Sequence, residues 1–596
     1  MARRGTRRSQ VVVPFGIGAI IEFEDEALMP AGLEFWPTEG AEKIFDNRLA
    51  RRLGVNHFLL PPPKPERNSP PGTTAPIPHV RFPQWHFCPR CRGLKRAELH
   101  DERRPRCSNS HASPRLSGRP TCSSLPDKRK PFMLPLRFVA VCPEGHIEDF
   151  PWNAWVHSTK DGDLNADSGC IPECLYFYAT QLSGLMGLIV SCGTCGEKRP
   201  LLGATSPHGL KGWTCSGKRP WLGEGAKEQC NAPPNALGQA SMFALQRAAS
   251  NLYFPEVASS ILIPPYSTRV AQILSDPKNI EALESAKENG KIPDSTFRVV
   301  ATMHNVDFSQ LKRAFLERIG EVDDEAVTDE SAFRFAEFQA LHEERRDTQD
   351  DLVTRPQELK KYASVVRDNV AVVTLVEQLA ETRALIGFSR INPDTAKMAK
   401  LSARKISWRP AFRVFGEGIF ISFDLARIEE FEENPSPPIQ RLMHRANEWG
   451  RSVLPVNPSF IFLHTLSHLM IKRLSFEAGY GASSIRERIY SSSIGTPNEM
   501  AGILLYTAAG DADGTLGGLV GLGKPGNLER ILLGALDDAR WCASDPICRE
   551  SDGQGPDGLN LAACHACALL PETSCEFQNR LLDRGVVEEF FKKYML

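Results

Sequence analysis

The spacing of apolar positions changes several times along the 596-residue chain, and each change predicts a different architecture. Val11–Val13 and Ala19–Phe23 are short apolar runs around Gly16-x-Gly18, which predicts two short strands about a turn. A dinucleotide fingerprint is excluded there, because the third glycine and the following helix are missing. Leu134–Val141 predicts a further strand. From Gln239 to about Leu454 the apolar spacing is largely helical. Asp276–Asn289 predicts an amphipathic helix with Asp276 as its cap, Pro277 in its first turn and Gly290 at its end. Phe335, Phe338 and Leu341 share a helix face, and Gln357–Ala384 predicts one long helix with a charged outer side. Phe412–Phe423 alternates like a hairpin strand. From Pro455 the pattern becomes α/β: a helix over Phe460–Leu474 apolar on nearly every side, a buried strand Gly502–Thr507 and a helix Asn527–Trp541.

The cysteines change this picture most. Eleven of the sixteen lie between Cys88 and Cys230, the next 311 residues hold none, and five follow between Cys542 and Cys575. A C-x2-C turn brings two thiolates close together and a distant pair closes a tetrahedral zinc site. Cys88 and Cys91 therefore pair with Cys107 and Cys122, with His111 as a competing ligand, and Cys192 and Cys195 pair with Cys215 and Cys230. Cys142, Cys170 and Cys174 remain, and His146 supplies a fourth donor; buried free thiols with a hydrogen-bonded core histidine explain these four equally well. At the C-terminal end Cys548, Cys564, Cys567 and Cys575 form the favoured set, with Cys542 or His565 as substitutes. Three or four structural zinc ions are expected. Four protein ligands leave no position for water, so Lewis-acid chemistry is not expected; iron–sulfur stays open at the four-cysteine sites.

These boundaries divide the chain into an N-terminal strand segment and Pro-rich linker (1–80), a zinc-ribbon region (81–238), a mostly helical middle (239–454) and a C-terminal α/β domain with a four-cysteine metal site (455–596). The expected fold class is multidomain α+β. The linker, Pro61–Pro78, holds eight prolines. No window approaches 18 uncharged apolar residues, and the basic N-terminus lacks a signal peptide's apolar run, so no membrane span and a cytoplasmic location are expected. The net charge of −1 does not advertise nucleic-acid binding, but residues 88–130 carry twelve Lys/Arg against four Asp/Glu. Residues 317–351 carry thirteen acids against four bases and predict a solvated helix pair. The arm Arg3, Arg4, Arg7 and Arg8 is either a solvated tail or a phosphate contact.

Other motifs are near misses. Gly518-Leu-Val-Gly-Leu-Gly523-Lys524-Pro525 matches G-x-x-x-x-G-K, but proline stands where a hydroxyl must reach magnesium, so a working NTPase site is excluded; an anion at the following helix stays open. Asp511-Ala-Asp513 lacks the glycine of a calcium loop. His464 and His468 have metal-ligand spacing on one helix face, but Thr465 breaks the zincin signature; core histidines and a metal or catalytic pair are the two readings.

Cys564-His-Ala-Cys567…Cys575…Asn579…Leu582-Asp583-Arg584 resembles a domain that ends certain superfamily-two DNA helicases. The whole chain resembles the DrmB family of the DISARM anti-phage system more closely. The residues that carry this are Arg8-Ser9-Gln10, Phe82-Pro-x-Trp-x-x-Cys-Pro-x-Cys91, Cys142-Pro-x-Gly-His146-x-x-Asp-Phe-Pro-Trp152, Gly416-Glu-Gly-Ile-Phe420, His464-x-x-x-His468 and Glu487-Arg-Ile-Tyr490. The resemblance implies a non-motor accessory subunit, not an enzyme, that pairs with a DISARM helicase (DrmA-like) and meets DNA through that complex. The competing reading is a metal-dependent nuclease or phosphohydrolase using His464, His468 and acids such as Asp511 and Asp513.

Overall fold

The computed structural model describes the chain except for residues 1–6, 63–75, 102, 112, 114, 117, 160–161, 165–168, 233–241, 265–267, 275, 287–291, 319–328, 348–349, 394–396, 451–455, 508–517 and 596. Arg3, Arg4, most of the Pro-rich segment, Gly290, Asp511 and Asp513 lie outside the described residues. The fold mixes α and β throughout and divides into two units, each gathered from three segments. Met1–Lys43, Leu59–Ala258 and Ala384–Phe412 form the first; Ile44–Phe58, Ser259–Arg383 and Arg413–Leu596 form the second.

Strands in the first unit are short. Its sheets have three strands each: Ile21–Glu22, Ala27–Pro30 and His79–Arg81; Leu94–Arg96, Trp85–Phe87 and Leu134–Pro135; Ile147–Asp149, Phe138–Val141 and Phe243–Gln246; Leu175–Ala179, Leu188–Cys192 and Lys198–Pro200. Aromatic side chains fill the space between them, with the Phe150 ring 4.6 Å from Trp152 and 5.4 Å from Trp155. The guanidinium of Arg390, buried, donates to the carbonyls of Gly145 (2.9 Å), Leu252 (2.8 Å) and Gly18 (2.7 Å), so one cation satisfies three buried acceptors. Two expectations change here. Ser9–Val11 form a 3-10 turn, and only Ile21–Glu22 is extended. Gly18 takes φ +81° with the Phe388 ring 2.5 Å from where a Cβ would sit, so the turn needs glycine. Leu134–Val141 is two strands in two sheets, broken at Leu136–Arg137.

The second unit is built on an antiparallel sheet. Ala501–Thr507 pairs on one side with residues of Trp408–Phe423 (Gly418↔Tyr506 to Ser422↔Gly502) and on the other with Ile485–Ser491. The helix Pro458–Ala478 packs on this sheet and on the helices Asn527–Ala539 and Arg584–Phe590. Asn457 caps it by accepting from Phe460 N at 2.8 Å, and Gly479 ends it at φ +69°. Its all-round apolar surface is buried: Phe462 stacks on Phe590 at 4.1 Å, and Leu463, Leu466 and Met470 are inaccessible. The helical middle comprises Thr268–Ile273, Pro277–Ser285, Asp294–His304, Phe308–Arg318 and Glu330–His342, with Asp276 capping Lys278 N at 2.9 Å.

The long helix expected over Gln357–Ala384 is not there. Ser364–Arg367 is one short helix, and Val370–Ser389 is a strand. β-branched Val370, Val372, Val373, Thr374 and Val376 favour the extended chain, and burial on both faces removes the alternation that marks a half-exposed strand. Gly523 of the Walker-like stretch packs against Leu375 and Ile419, where a Cβ would sit 2.6 Å and 3.0 Å from their side chains. That contact accounts for the glycine without a phosphate.

The acidic segment is not simply solvated. Glu337, on Glu330–His342, is fully buried and accepts from Arg488 at 2.5 Å and 3.0 Å, with Arg48 at 3.5 Å. Glu576 bridges Arg488 (3.2 Å) and Arg334 (2.9 Å). Burial alone would lower the Arg488 pKa, but Glu337 and Glu576 hold it well above the ordinary value. Removing Glu337 takes its carboxylate from Arg48 and one of two carboxylates from Arg488, both buried, so Glu337→Ala is expected to destabilise the second unit by about 3–5 kcal/mol in urea unfolding. A loss of less than about 1 kcal/mol would show that the network adds no net stability.

Candidate metal centres

Five groups of Cys, His and Glu donor atoms converge among the described residues, each with its atoms within 4.8 Å of one another. The first joins Cys88, Cys91, Cys107 and Cys122, all buried. The strand Trp85–Phe87 leads into the Cys88–Cys91 knuckle, whose backbone amides point inward: Cys91 N donates to Cys88 Sγ and Gly93 N to Cys91 Sγ, both at 3.4 Å. Cys88 Sγ is 3.9 Å from Cys122 Sγ, and Cys91 Sγ is 3.6 Å from Cys107 Sγ. These are close to the edge of about 3.8 Å that a tetrahedron with zinc–sulfur bonds of about 2.3 Å requires. His111 takes no part; its Nδ1 lies 3.6 Å from Glu173.

The next two groups differ from the pairing expected along the chain. Cys142 and His146 meet Cys215 and Cys230, not Cys170 and Cys174. Cys142 Sγ is 3.3 Å from His146 Nδ1 and 3.8 Å from Cys230 Sγ. His146 Nε2 contacts Glu228 at 3.0 Å, and Arg219 holds that carboxylate at 2.9 Å, which orients the ring from behind. Cys192 and Cys195 meet Cys170 and His157. Cys170 Sγ is 3.8 Å from Cys192 Sγ, and His157 Nε2 is 3.3 Å from Cys195 Sγ. His157 Nδ1 donates to Asn153 O at 2.9 Å, which turns Nε2 toward the thiols. Cys174 stands apart, its thiol 3.4 Å from the Tyr176 hydroxyl. His157 carries no signal in the sequence: no cysteine lies within ten residues, and only the short helix Trp152–Val156 presents it.

At the C-terminal end Cys542, Cys548, Cys564 and Cys567 converge, with Cys542 in place of Cys575. Cys542 Sγ is 3.4 Å from Cys564 Sγ, and Cys548 Sγ is 3.8 Å from Cys567 Sγ. Backbone N–H groups at Cys564 and Ser544 donate to Cys567 and Cys542 Sγ (3.2 Å and 3.4 Å) and favour thiolates. Burial raises the Cys564 thiol, but the backbone amides of Cys567 and Ala566 and the Cys542 contact outweigh it and bring it to about 6. His565 is exposed and outside the group. Cys575 belongs to the fifth group, with His464, His468 and Glu487. The two imidazoles are fully buried with ring centres 4.6 Å apart. Burial pushes His464 toward its neutral form. Burial alone would raise Glu487, but the two histidines outweigh it and keep it ionised.

Known proteins add the rest. Residues 7–254 match a domain of unknown function, DUF8724, and residues 466–568 match the MrfA Zn-binding domain. The second match spans Cys542, Cys548, Cys564 and Cys567 and stops short of Cys575. The chain is 30% identical to the DISARM protein DrmB of Bacillus paralicheniformis over 595 residues, covering 94% of this chain and 96% of that protein. The chain belongs to the DrmB family. This DrmB-family chain carries multiple structural zinc ions: a zinc-binding domain is matched, and the cysteine-rich groups have the donor types and spacing that tetrahedral zinc takes. Zinc in such sites cross-links the segments that supply the thiolates and contributes its binding free energy to folding.

The grouping is directly testable. Elemental analysis of the folded chain is expected to show about one zinc fewer for His157→Ala and no change for Cys174→Ser. The reverse result would restore the pairing by sequence order.

Proposed function

We propose that the chain is a non-motor accessory subunit of a bacterial DISARM-type anti-phage complex, acting in the cytoplasm, which binds a partner helicase and helps it engage foreign DNA. The observation that carries this reading is the identity to a DISARM protein along nearly the whole chain, which leaves no large segment unaccounted for. The surface of the first zinc module supports the DNA part. Lys95, Arg96, Arg103, Arg115, Arg119, Lys128 and Arg129 are exposed around a buried thiol cluster. Arg106 is fixed beneath them by the carbonyls of Asp127 (2.7 Å) and Lys130 (3.1 Å). Cations carried on a backbone fastened at four thiols suit phosphate contact without base reading, in keeping with engagement of any invading sequence. Chemistry and ATP turnover fall to the partner in this reading.

Two measurements test it. Co-expression with a DISARM helicase is expected to yield a complex that survives purification at modest salt. The triple variant Arg115→Glu, Lys128→Glu and Arg129→Glu is expected to keep that complex while weakening DNA binding by it, with the slope of log affinity on log salt falling by about 2–3. Absence of any complex at modest salt would remove the partner assignment. An unchanged DNA affinity in the variant would remove the basic module from the DNA path.

A further inference from the structure

The fifth donor group has the marks of a metal site that neither matched domain assigns. A histidine that only packs should satisfy both ring nitrogens, since a buried polar atom without a partner is costly. His468 Nδ1 is engaged by the carbonyl of Ala568 at 2.8 Å, but its Nε2 makes no hydrogen bond among the described residues, although Glu487 Oε1 lies 3.4 Å away. His464 turns Nε2 into the same space, 3.1 Å from Glu487 Oε1 and 3.2 Å from Cys575 Sγ. Its Nδ1 likewise makes no hydrogen bond among the described residues. Three elements supply these atoms: the helix Pro458–Ala478, the strand Ile485–Ser491 and the segment after Ser574. All four side chains are buried, with Cys575 the most exposed at 5%.

We propose that His464, His468, Glu487 and Cys575 bind a zinc ion, a closed structural site separate from the four cysteine-rich groups. The donor set decides the metal. Two imidazoles, one carboxylate and one thiolate are ligands that zinc accepts together, and four of them complete a tetrahedron. Charge supports the assignment. Glu487 accepts from the Ser467 hydroxyl and the Glu576 amide (3.2 Å), but its ion-pair contacts among the described residues are to the two imidazoles, so without a metal the charge of a buried carboxylate would be balanced by weakly basic rings. Zinc balances that carboxylate and a Cys575 thiolate together. The surrounding groups suit ligands: Ser467 donates to Glu487 Oε2, while Phe577 N (3.3 Å) and Asn579 N (3.2 Å) donate to Cys575 Sγ. The burial of every donor also gives the histidines no exposure to substrate, which separates this site from hydrolytic chemistry.

Elemental analysis of the full chain tests the proposal. His468→Ala and Cys575→Ser, each shown to be folded by circular dichroism, are expected to hold about one zinc equivalent less than the wild type. Unchanged zinc in folded variants overturns the site. Should both variants fail to fold, zinc-edge absorption on the wild-type chain decides. Its mean first shell should contain fifteen sulfur to five nitrogen or oxygen donors with the site, against fourteen to two without it. The sulfur-rich shell would overturn the proposal.

Discussion

Sulfur-to-sulfur proximity between distant segments is the constraint on which the first unit depends. The strands of its four three-stranded sheets run to five residues at most, too little to hold one register by backbone pairing alone. The donor groups fasten what the sheets leave loose. Cys142 and Cys230 are 88 positions apart in the chain and 3.8 Å apart at sulfur, and Cys88 and Cys122 span 34 positions at 3.9 Å. Closing loops of that length costs entropy, and a structural zinc ion offsets it, with apparent binding free energies of about 10–16 kcal/mol per site in small zinc domains. Arg390 does the same work with hydrogen bonds, drawing three carbonyls onto one cation. The backbone that carries the basic side chains around Cys88–Cys122 is held by this fastening.

The second unit solves the same problem differently. A buried helix lies against a sheet whose strands are long enough to hold register, so apolar burial carries the fold. Its interior is nevertheless strongly polar in two places. Glu337, Arg488, Glu576 and Arg334 form one network; Glu487 with two histidines and a thiol forms another. Glu487 and Arg488 are neighbours on one strand and so point to opposite faces, one toward the helix Pro458–Ala478 and the other toward Glu337. A register slip of one residue in either direction would bring a guanidinium, Arg486 or Arg488, to the place of the Glu487 carboxylate and take the guanidinium away from Glu337. The two polar sites therefore specify the pairing of this strand as strictly as any apolar contact does.

What the sequence made legible follows from which signals are local. Cysteine clustering is local, and so is the C-x2-C knuckle; the group around Cys88 could be assembled from those alone. Which distant thiols meet is topological. Leu175 pairs with Cys192 across an antiparallel hairpin, and this register draws the Cys170 segment to the Cys192 knuckle and frees Cys215 and Cys230 for Cys142. No spacing rule contains that register. In the C-terminal group the count of one spare thiol was visible, but its identity was not, because Cys575 is placed by the fold beside a helix more than a hundred residues earlier. The buried helix Phe460–Leu474 was legible from its all-round apolar surface, whereas Val370–Ser389 was not: Glu377–Glu381 are helix formers, and burial on both faces erased the period of two.

Closed coordination ties these structural points to function. A zinc ion held by four side chains has no place for water or substrate, so it acts through what it fixes and not through what it activates. In the cysteine-rich groups the outer contacts face the donors: amides at Gly93, Gly217 and Ser544 face thiols, the Asn153 carbonyl holds the His157 ring, and Glu228, fixed by Arg219, holds the His146 ring. These are arrangements that stabilise ligands, not ones that poise a nucleophile.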